Sequence, residues 1–330
     1  MLIDMHSHYM PQALLRALER RGSAPRVVDR DGRTMVDYGP RSAVPLHEGF
    51  TDIDVILQRM NESSIDHSVL SVTIPGVDWF GPDEAIEIAD ECNRETAELC
   101  RLHPDRLSGL ATVPLQYPDE AGDVLRRAVE MGLKGAMIYS NVAGGHLDDP
   151  ARRAFFDAAA ELDVPILLHP TYPLCAPTVA THGMIEIAGF LFDTTTAALR
   201  LVFDGLYERH PDFKFIVPHA GSLIPYFVGR IDFFGQMRPG ATGQLSSPAS
   251  EQIRRFFVDT VCNWPPALKL TLDLFGVDKV MVGSDHPFWP MSVATDVLDS
   301  LDLNPGDRAK IEYQNAARLF QVQSALVSGE

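Results

Sequence analysis

MLIDMHSHYMP, residues 1–11, is an apolar run broken by one acid, Asp4, that delivers two histidines one residue apart, His6 and His8. In an extended segment, side chains at i and i+2 point to the same face. Both imidazoles can therefore converge on one ion, at about 2.0–2.1 Å. Asp4 shares that face one layer deeper, where a carboxylate can orient a ligand imidazole through a hydrogen bond. Its alternative reading is a structural acid at the floor of the fold.

Outward from this stretch the chain repeats one theme. Short, near-continuously apolar runs follow at 67–74, 106–113, 135–140, 164–169, 213–219, 257–261 and 279–285. Continuous apolarity is what a strand covered on both faces requires. Helical patterns lie between them at 52–62, 83–102, 118–131, 149–162, 194–209 and 266–275. In the first, Ile53, Ile56, Leu57 and Met60 share a face behind Thr51 or Asp52 as N-cap. Eight such units predict an α/β fold, a (β/α)8 TIM barrel, as one domain over 1–330. An open doubly wound sheet is the alternative, but no GxGxxG follows the first strand. Residues 25–39 read as a small β-hairpin around Asp31-Gly32, inside an insertion over roughly 25–50. Residues 170–193 read as a long loop after the fifth strand. Loops that follow barrel strands lie on the catalytic face, so both insertions are expected to wall a pocket.

The composition is that of an ordinary globular protein: 330 residues, 45% hydrophobic and 22% charged. A net charge of −17 leaves no basic surplus for nucleic-acid phosphates, and an anionic substrate would need local arginines. Cys92, Cys100, Cys175 and Cys262 form no CxxC pair, which suits a reducing cytoplasm. No signal peptide and no membrane span are expected.

The chemistry gathers at strand ends. His6 and His8 close the first run, His169 the fifth, His219 the sixth and Asp285 the eighth. That is the end of a barrel where sites are built. Histidines with a carboxylate suit Zn²⁺ with a position left open, and Mn²⁺ is also compatible. A bridging lysine for a second ion is missing, since Lys134 precedes the fourth strand, so one divalent ion is expected. His47, His182 and His286 fall on loops near these ends, and Trp79, Tyr172 and Phe288 are candidates for the pocket wall or for ordinary core. His67, His103, His146 and His210 read as surface or helix-end residues.

The motifs DMHSH, LLHP, PHAGS and GSDHPF, with YERHPDFKFIVPHAG and PYFVGRIDFFGQMRP, resemble the amidohydrolase superfamily. More narrowly, they are similar to its decarboxylase-rich branch, typified by aminocarboxymuconate semialdehyde decarboxylase. The resemblance implies one divalent ion held by His6, His8, His169 and Asp285, with His219 as acid/base beside it. It also implies a homodimer in which Arg230 reaches the neighbouring subunit's substrate carboxylate. A guanidinium fork suits that task, although Arg230 could instead be an ordinary helix ion-pair partner. Where that branch carries a second carboxylate-binding arginine, this chain has His47, with Arg41 and Arg238 as candidate substitutes, so the same dicarboxylate is not the expected substrate. The implied activity is metal-dependent, non-oxidative decarboxylation of a small aromatic or muconate-like carboxylic acid. The alternative is a hydrolase of an ester, lactone or amide, or a related hydratase, with Asp285 or His219 taking protons.

Overall fold

The computed structural model describes residues 1–39, 42–238, 240 and 242–322. Its strands are β1 (Ile3–Tyr9), β2 (Arg26–Arg30), β3 (Arg33–Gly39), β4 (Ser42–Pro45), β5 (His67–Val72), β6 (Leu107–Gly109), β7 (Ala111–Thr112), β8 (Ala136–Tyr139), β9 (Ile166–His169), β10 (Phe215–Val217), β11 (Phe257–Asp259) and β12 (Val280–Met281).

Every expected run forms a strand, and the pairing is parallel from β1 to β5 to β6 and from β7 through β8, β9, β10 and β11 to β12. β6 and β7 are two halves of one strand interrupted at Leu110, whose N–H still donates to Leu70 O at 2.8 Å. The remaining gap is closed by backbone bonds that include Met5 N–H to Val282 O (2.9 Å), Asp285 N–H to His6 O (2.7 Å) and His8 N–H to His286 O (2.7 Å). The result is the expected (β/α)8 barrel. Its interior is filled by Ile3, Met5, Val69, Leu110, Met137, Leu167, Ile216 and Met281, and helix Asn315–Phe320 packs Ala316, Leu319 and Phe320 against that cluster. Apolar side chains on both strand faces explain the continuous runs: one set fills the barrel and the other meets the helices.

The helices follow their local signals. Asp52 caps Ile53–Glu62, its Oδ1 accepting from Asp54 N–H (2.9 Å) and Val55 N–H (3.4 Å). Such a cap stabilises a helix by about 1 kcal/mol. Ile56 and Met60 are buried beneath it, with Ile53 and Leu57 half-covered. Pro82–Leu102 and Pro118–Glu130 each place proline in the first turn, where its missing N–H has no intrahelical partner to lose.

Some stretches depart from the sequence reading. The hairpin at 25–39 has its two-residue turn, with Asp31 and Gly32 both left-handed (φ 56° and 74°), but β4 adds a third antiparallel strand. Tyr38 of β3 reaches the barrel mouth, its hydroxyl donating to Ile74 O at 3.0 Å. The stretch 170–193 is not a loop throughout. A π-helical turn, Ile185–Gly189, runs into helix Phe190–Phe203, and the expected 194–209 helix breaks at left-handed Gly205. A Cβ at Gly189 would sit 3.0 Å from Pro173 Cγ, so the missing side chain lets this helix approach the loop closely. Among the described residues no helix is long and apolar enough to cross a membrane.

Candidate metal centre

His6 and His8 lie inside β1, and the wall of neighbouring strands buries both completely. His169 is the last residue of β9, and Asp285 stands in the turn after β12 with a left-handed backbone (φ 58°). One ligand atom from each of the four falls within 4.8 Å of the others.

The hydrogen bonds assign the tautomers. His6 Nδ1 faces the carboxylate Oδ2 of Asp259 at 2.7 Å, and His169 Nδ1 faces Pro170 O at 2.8 Å, so both nitrogens carry the proton. Ser71 Oγ donates to Ser7 O, which leaves it to accept from His8 Nδ1 at 2.8 Å. All three Nε2 lone pairs are then free, and they face one another. His6 Nε2 and His8 Nε2 are 3.0 Å apart, and buried His169 Nε2 has no hydrogen-bond partner. Asp285 Oδ1 completes the group, 3.0 Å from His8 Nε2, 3.4 Å from His6 Nε2 and 3.6 Å from His169 Nε2. Converging lone pairs and one carboxylate, with each Nδ1 tied down from behind, fit a divalent cation and form a metal site.

The electrostatics agree. Burial drives the His8 imidazole down to about 3, with His169 beside it adding to the effect, and burial also lowers His169. Both stay neutral and able to ligate. Burial would raise Asp285, but His6 and the hydrogen bonds of the other imidazoles hold it well below the usual carboxylate range. At His6 burial is outweighed by Asp285 and Asp259, which favour positive charge where an ion would supply it.

His219 approaches from the other side. Its Nε2 lies 3.4 Å from Asp285 Oδ2, so the two oxygens of Asp285 face different partners. His219 and Ala220 are both left-handed (φ 56° and 55°), a conformation that costs about 1–2 kcal/mol per non-glycine residue. Asp259 holds that turn, its Oδ1 accepting from Ala220 N–H at 2.8 Å while Oδ2 holds His6. The reading of the sequence passed over Asp259. Its signal was an acid at the end of the seventh strand run, FVDTV, in the position the ligands occupy on theirs. A Cβ at Gly283 would come within 2.9 Å of both His6 Cβ and Asp259 Cβ, so only glycine passes this pair.

Asp4 is fully buried, but its carboxylate accepts from the backbone N–H of His6 (3.1 Å) and Ser284 (3.0 Å) and from Ser284 Oγ (2.6 Å). It therefore joins β1 to the turn carrying Asp285, and the carboxylate behind an imidazole is Asp259 instead. His47 caps a short helix, Glu48–Thr51, through Gly49 N–H. An aromatic wall leads to it from the metal site: His8 to Phe288 (5.9 Å between ring centroids), Phe288 to Phe50 (5.4 Å) and Phe50 to His47 (4.8 Å). Trp79 is partly exposed, and Tyr172 is half-buried with its carbonyl held by Asn141 Nδ2 at 3.0 Å. His286 is buried, with His8 N–H bonded to its carbonyl. His182 lies exposed on the 180–186 turn. His67, read as a surface residue, is buried in β5 against Ser108 Oγ (2.9 Å), because its strand is covered on both sides.

Arg230 is not among the groups gathered at the centre of its own chain. It is exposed on helix Ile224–Met237, stacked on Phe234 at 4.7 Å, and makes no ion pair among the described residues. Arg238 flanks the same ring at 5.9 Å, and Arg41 lies outside the described residues.

Comparison with known proteins gives the same reading. The chain is 34% identical over 291 residues to a gamma-resorcylate decarboxylase of Rhodococcus jostii, covering 82% of this chain and 87% of that one. It is 29% identical to a 2-amino-3-carboxymuconate-6-semialdehyde decarboxylase of Dictyostelium discoideum, over 87% and 81% of the two chains. A dihydroxybenzoic acid decarboxylase from Polaromonas, solved with manganese and the inhibitor 2-nitroresorcinol, superposes with a TM-score of 0.83 at 26% identity over 97% of each chain. The amidohydrolase family model matches residues 3–322, and with its barrel and buried His–Asp centre the chain belongs to that family.

Proposed function

We propose that this protein is a metal-dependent, non-oxidative decarboxylase of a small aromatic carboxylic acid of the hydroxybenzoate type. The carrying observation is the division of Asp285, one oxygen on the three-imidazole site and the other on His219. The gamma-resorcylate and dihydroxybenzoic acid decarboxylases it resembles support the substrate class.

A divalent ion bound at this site supplies Lewis-acid polarisation of the substrate's oxygens. The chain supplies the rest. Phe288 and Phe50, packed edge to face, offer an apolar wall beside His8, with Tyr172 and Trp79 as further wall candidates and His47 as a polar contact at its far end. The bond from ring carbon to carboxyl carbon breaks, CO₂ leaves, and the electron pair stays on the ring carbon. That carbon takes one proton, delivered by His219 with Asp285 Oδ2 beside it. His219 is suited to reload from solvent, since its side chain is 13% exposed while those of His6 and His8 are 0%.

Zinc suits three imidazoles and a carboxylate; the manganese of the Polaromonas enzyme favours manganese here. Exposed Arg230, which makes no ion pair among the described residues, shares its helix with exposed Tyr226, Phe233 and Met237, which supports a homodimer in which Arg230 serves the neighbouring site. The free thiols support a cytoplasmic setting, and the barrel with its insertion is read as one domain.

The test is incubation of purified, metal-loaded protein with 2,6-dihydroxybenzoate and related hydroxybenzoates, following CO₂ and the decarboxylated arene. Stoichiometric release of both is expected. Metal-dependent hydrolysis or hydration without CO₂ would overturn the proposal.

A further inference from the structure

Asp193, on helix Phe190–Phe203, is a buried acid with no cation beside it among the described residues, at 7% exposure. Its charge is met by three donors from two different loops. Ser140 Oγ donates to Oδ2 at 2.5 Å, Asn141 Nδ2 donates to the same oxygen at 2.8 Å, and Leu174 N–H donates to Oδ1 at 3.0 Å. The first two follow β8 and the third follows β9, so one carboxylate joins the loops of adjacent barrel strands.

The loops are cross-tied beneath it. Asn141 Nδ2 also donates to Tyr172 O (3.0 Å), Thr171 N–H donates to Ser140 Oγ (3.4 Å), and Ser140 N–H donates to His169 O (2.8 Å). The segment so held begins with Pro170, whose carbonyl takes the Nδ1 proton of the ligand His169. Along the same helix Thr195 Oγ1 accepts from Leu223 N–H (3.0 Å), just after the strained His219 turn. One end of one helix thus holds the chain behind a metal ligand, the Tyr172 wall candidate and the turn that follows the proton donor.

We infer that Asp193 is a positioning residue. Through Ser140, Asn141 and Leu174 it fixes the 170–174 segment, so that Pro170 O aims the His169 imidazole at the metal and Tyr172 is set at the pocket edge. The inference rests on the decarboxylase reading only for its substrate readout. An asparagine cannot replace the acid: with its NH₂ at the Oδ1 position it would face the Leu174 N–H, and with the NH₂ at the Oδ2 position it would face Asn141 Nδ2, where turning the Asn141 amide to accept would strip Tyr172 O of its donor.

The test compares Asp193→Asn, Ser140→Ala and Asn141→Ala with the parent protein. Mn²⁺ affinity is read by electron paramagnetic resonance, fold by circular dichroism, and KM and kcat with excess Mn²⁺. Asp193→Asn is expected to stay folded, to bind Mn²⁺ about tenfold more weakly, and at saturating metal to show a KM raised several-fold more than kcat falls. Ser140→Ala and Asn141→Ala should reproduce part of the same pattern. Folded variants whose Mn²⁺ affinity and KM both stay within twofold of the parent would overturn it. A parent that binds Mn²⁺ but releases no CO₂ defeats the decarboxylase reading alone, and the Mn²⁺ arm still decides the role of Asp193.

Discussion

His6 Nε2 and His8 Nε2 stand 3.0 Å apart at the centre of the barrel mouth, each with its Nδ1 proton committed to a partner behind it. Two lone pairs at that separation repel unless a cation lies between them. Prolonged chelation should therefore abolish turnover, and Mn²⁺ or Zn²⁺ should restore it. Loaded protein should melt higher, by the equivalent of about 2.7 kcal/mol at a hundredfold excess over Kd. His8→Ala should remove both the melting shift and the activity, read by calorimetry with and without metal.

Asp259 serves two groups, the His6 ring and the turn of His219. Asp259→Asn keeps the shape but loses the charge that makes His6 a strong ligand. Metal affinity should fall about 10–100-fold, measured by competition with a chromogenic chelator. Asp4→Asn, which touches only backbone and Ser284, should fall less; an equal loss would place the two acids in the same role.

His219 is the accessible imidazole, on the Asp285 oxygen turned away from the other three. His219→Ala should keep its metal and lose about 10²–10⁴-fold in kcat, as removal of a general acid does. Metal analysis alongside kinetics checks this. A variant that emerges without metal would move His219 into the ligand set.

Burial raises the Asp78 carboxyl to about 7 from its ordinary 3.8, with Arg152 opposing the rise. A carboxyl whose folded value is raised favours the fold while protonated. Its effect therefore turns destabilising as pH climbs from about 4 toward 7 and levels off above. Asp78→Asn should melt a few degrees higher than the parent at pH 8 and gain little at pH 4. Melting curves across that range decide it, and an equal change at both ends would assign the effect to lost contacts.

The ligands were legible because metal chemistry imposes a local pattern, HxH in an extended run and single acceptors at later strand ends. Asp259 was not read, because its partner His6 is 253 residues away and only closure of the ring brings the two together. The start of the helix through 185–203, residues 185–193, was hidden for another reason. Ile187 and Phe192 are exposed while Ile185 and Ala197 are buried, so apolar residues occur on both sides and the helical period is blurred. Asp52, by contrast, announced its helix through a cap that acts within three residues.

His8 and Asp285 are 277 positions apart, yet they sit on the two edges that meet to close the barrel. A ribosome that has made His6 and His8 must add 277 further residues before Asp285 appears. The centre is thus a late product of synthesis, and a bound ion would act as a clasp across the last joint to form. Uptake of metal by a nascent or refolding chain would consequently time the completion of the ring, a slow, long-range event, rather than the collapse of any local segment.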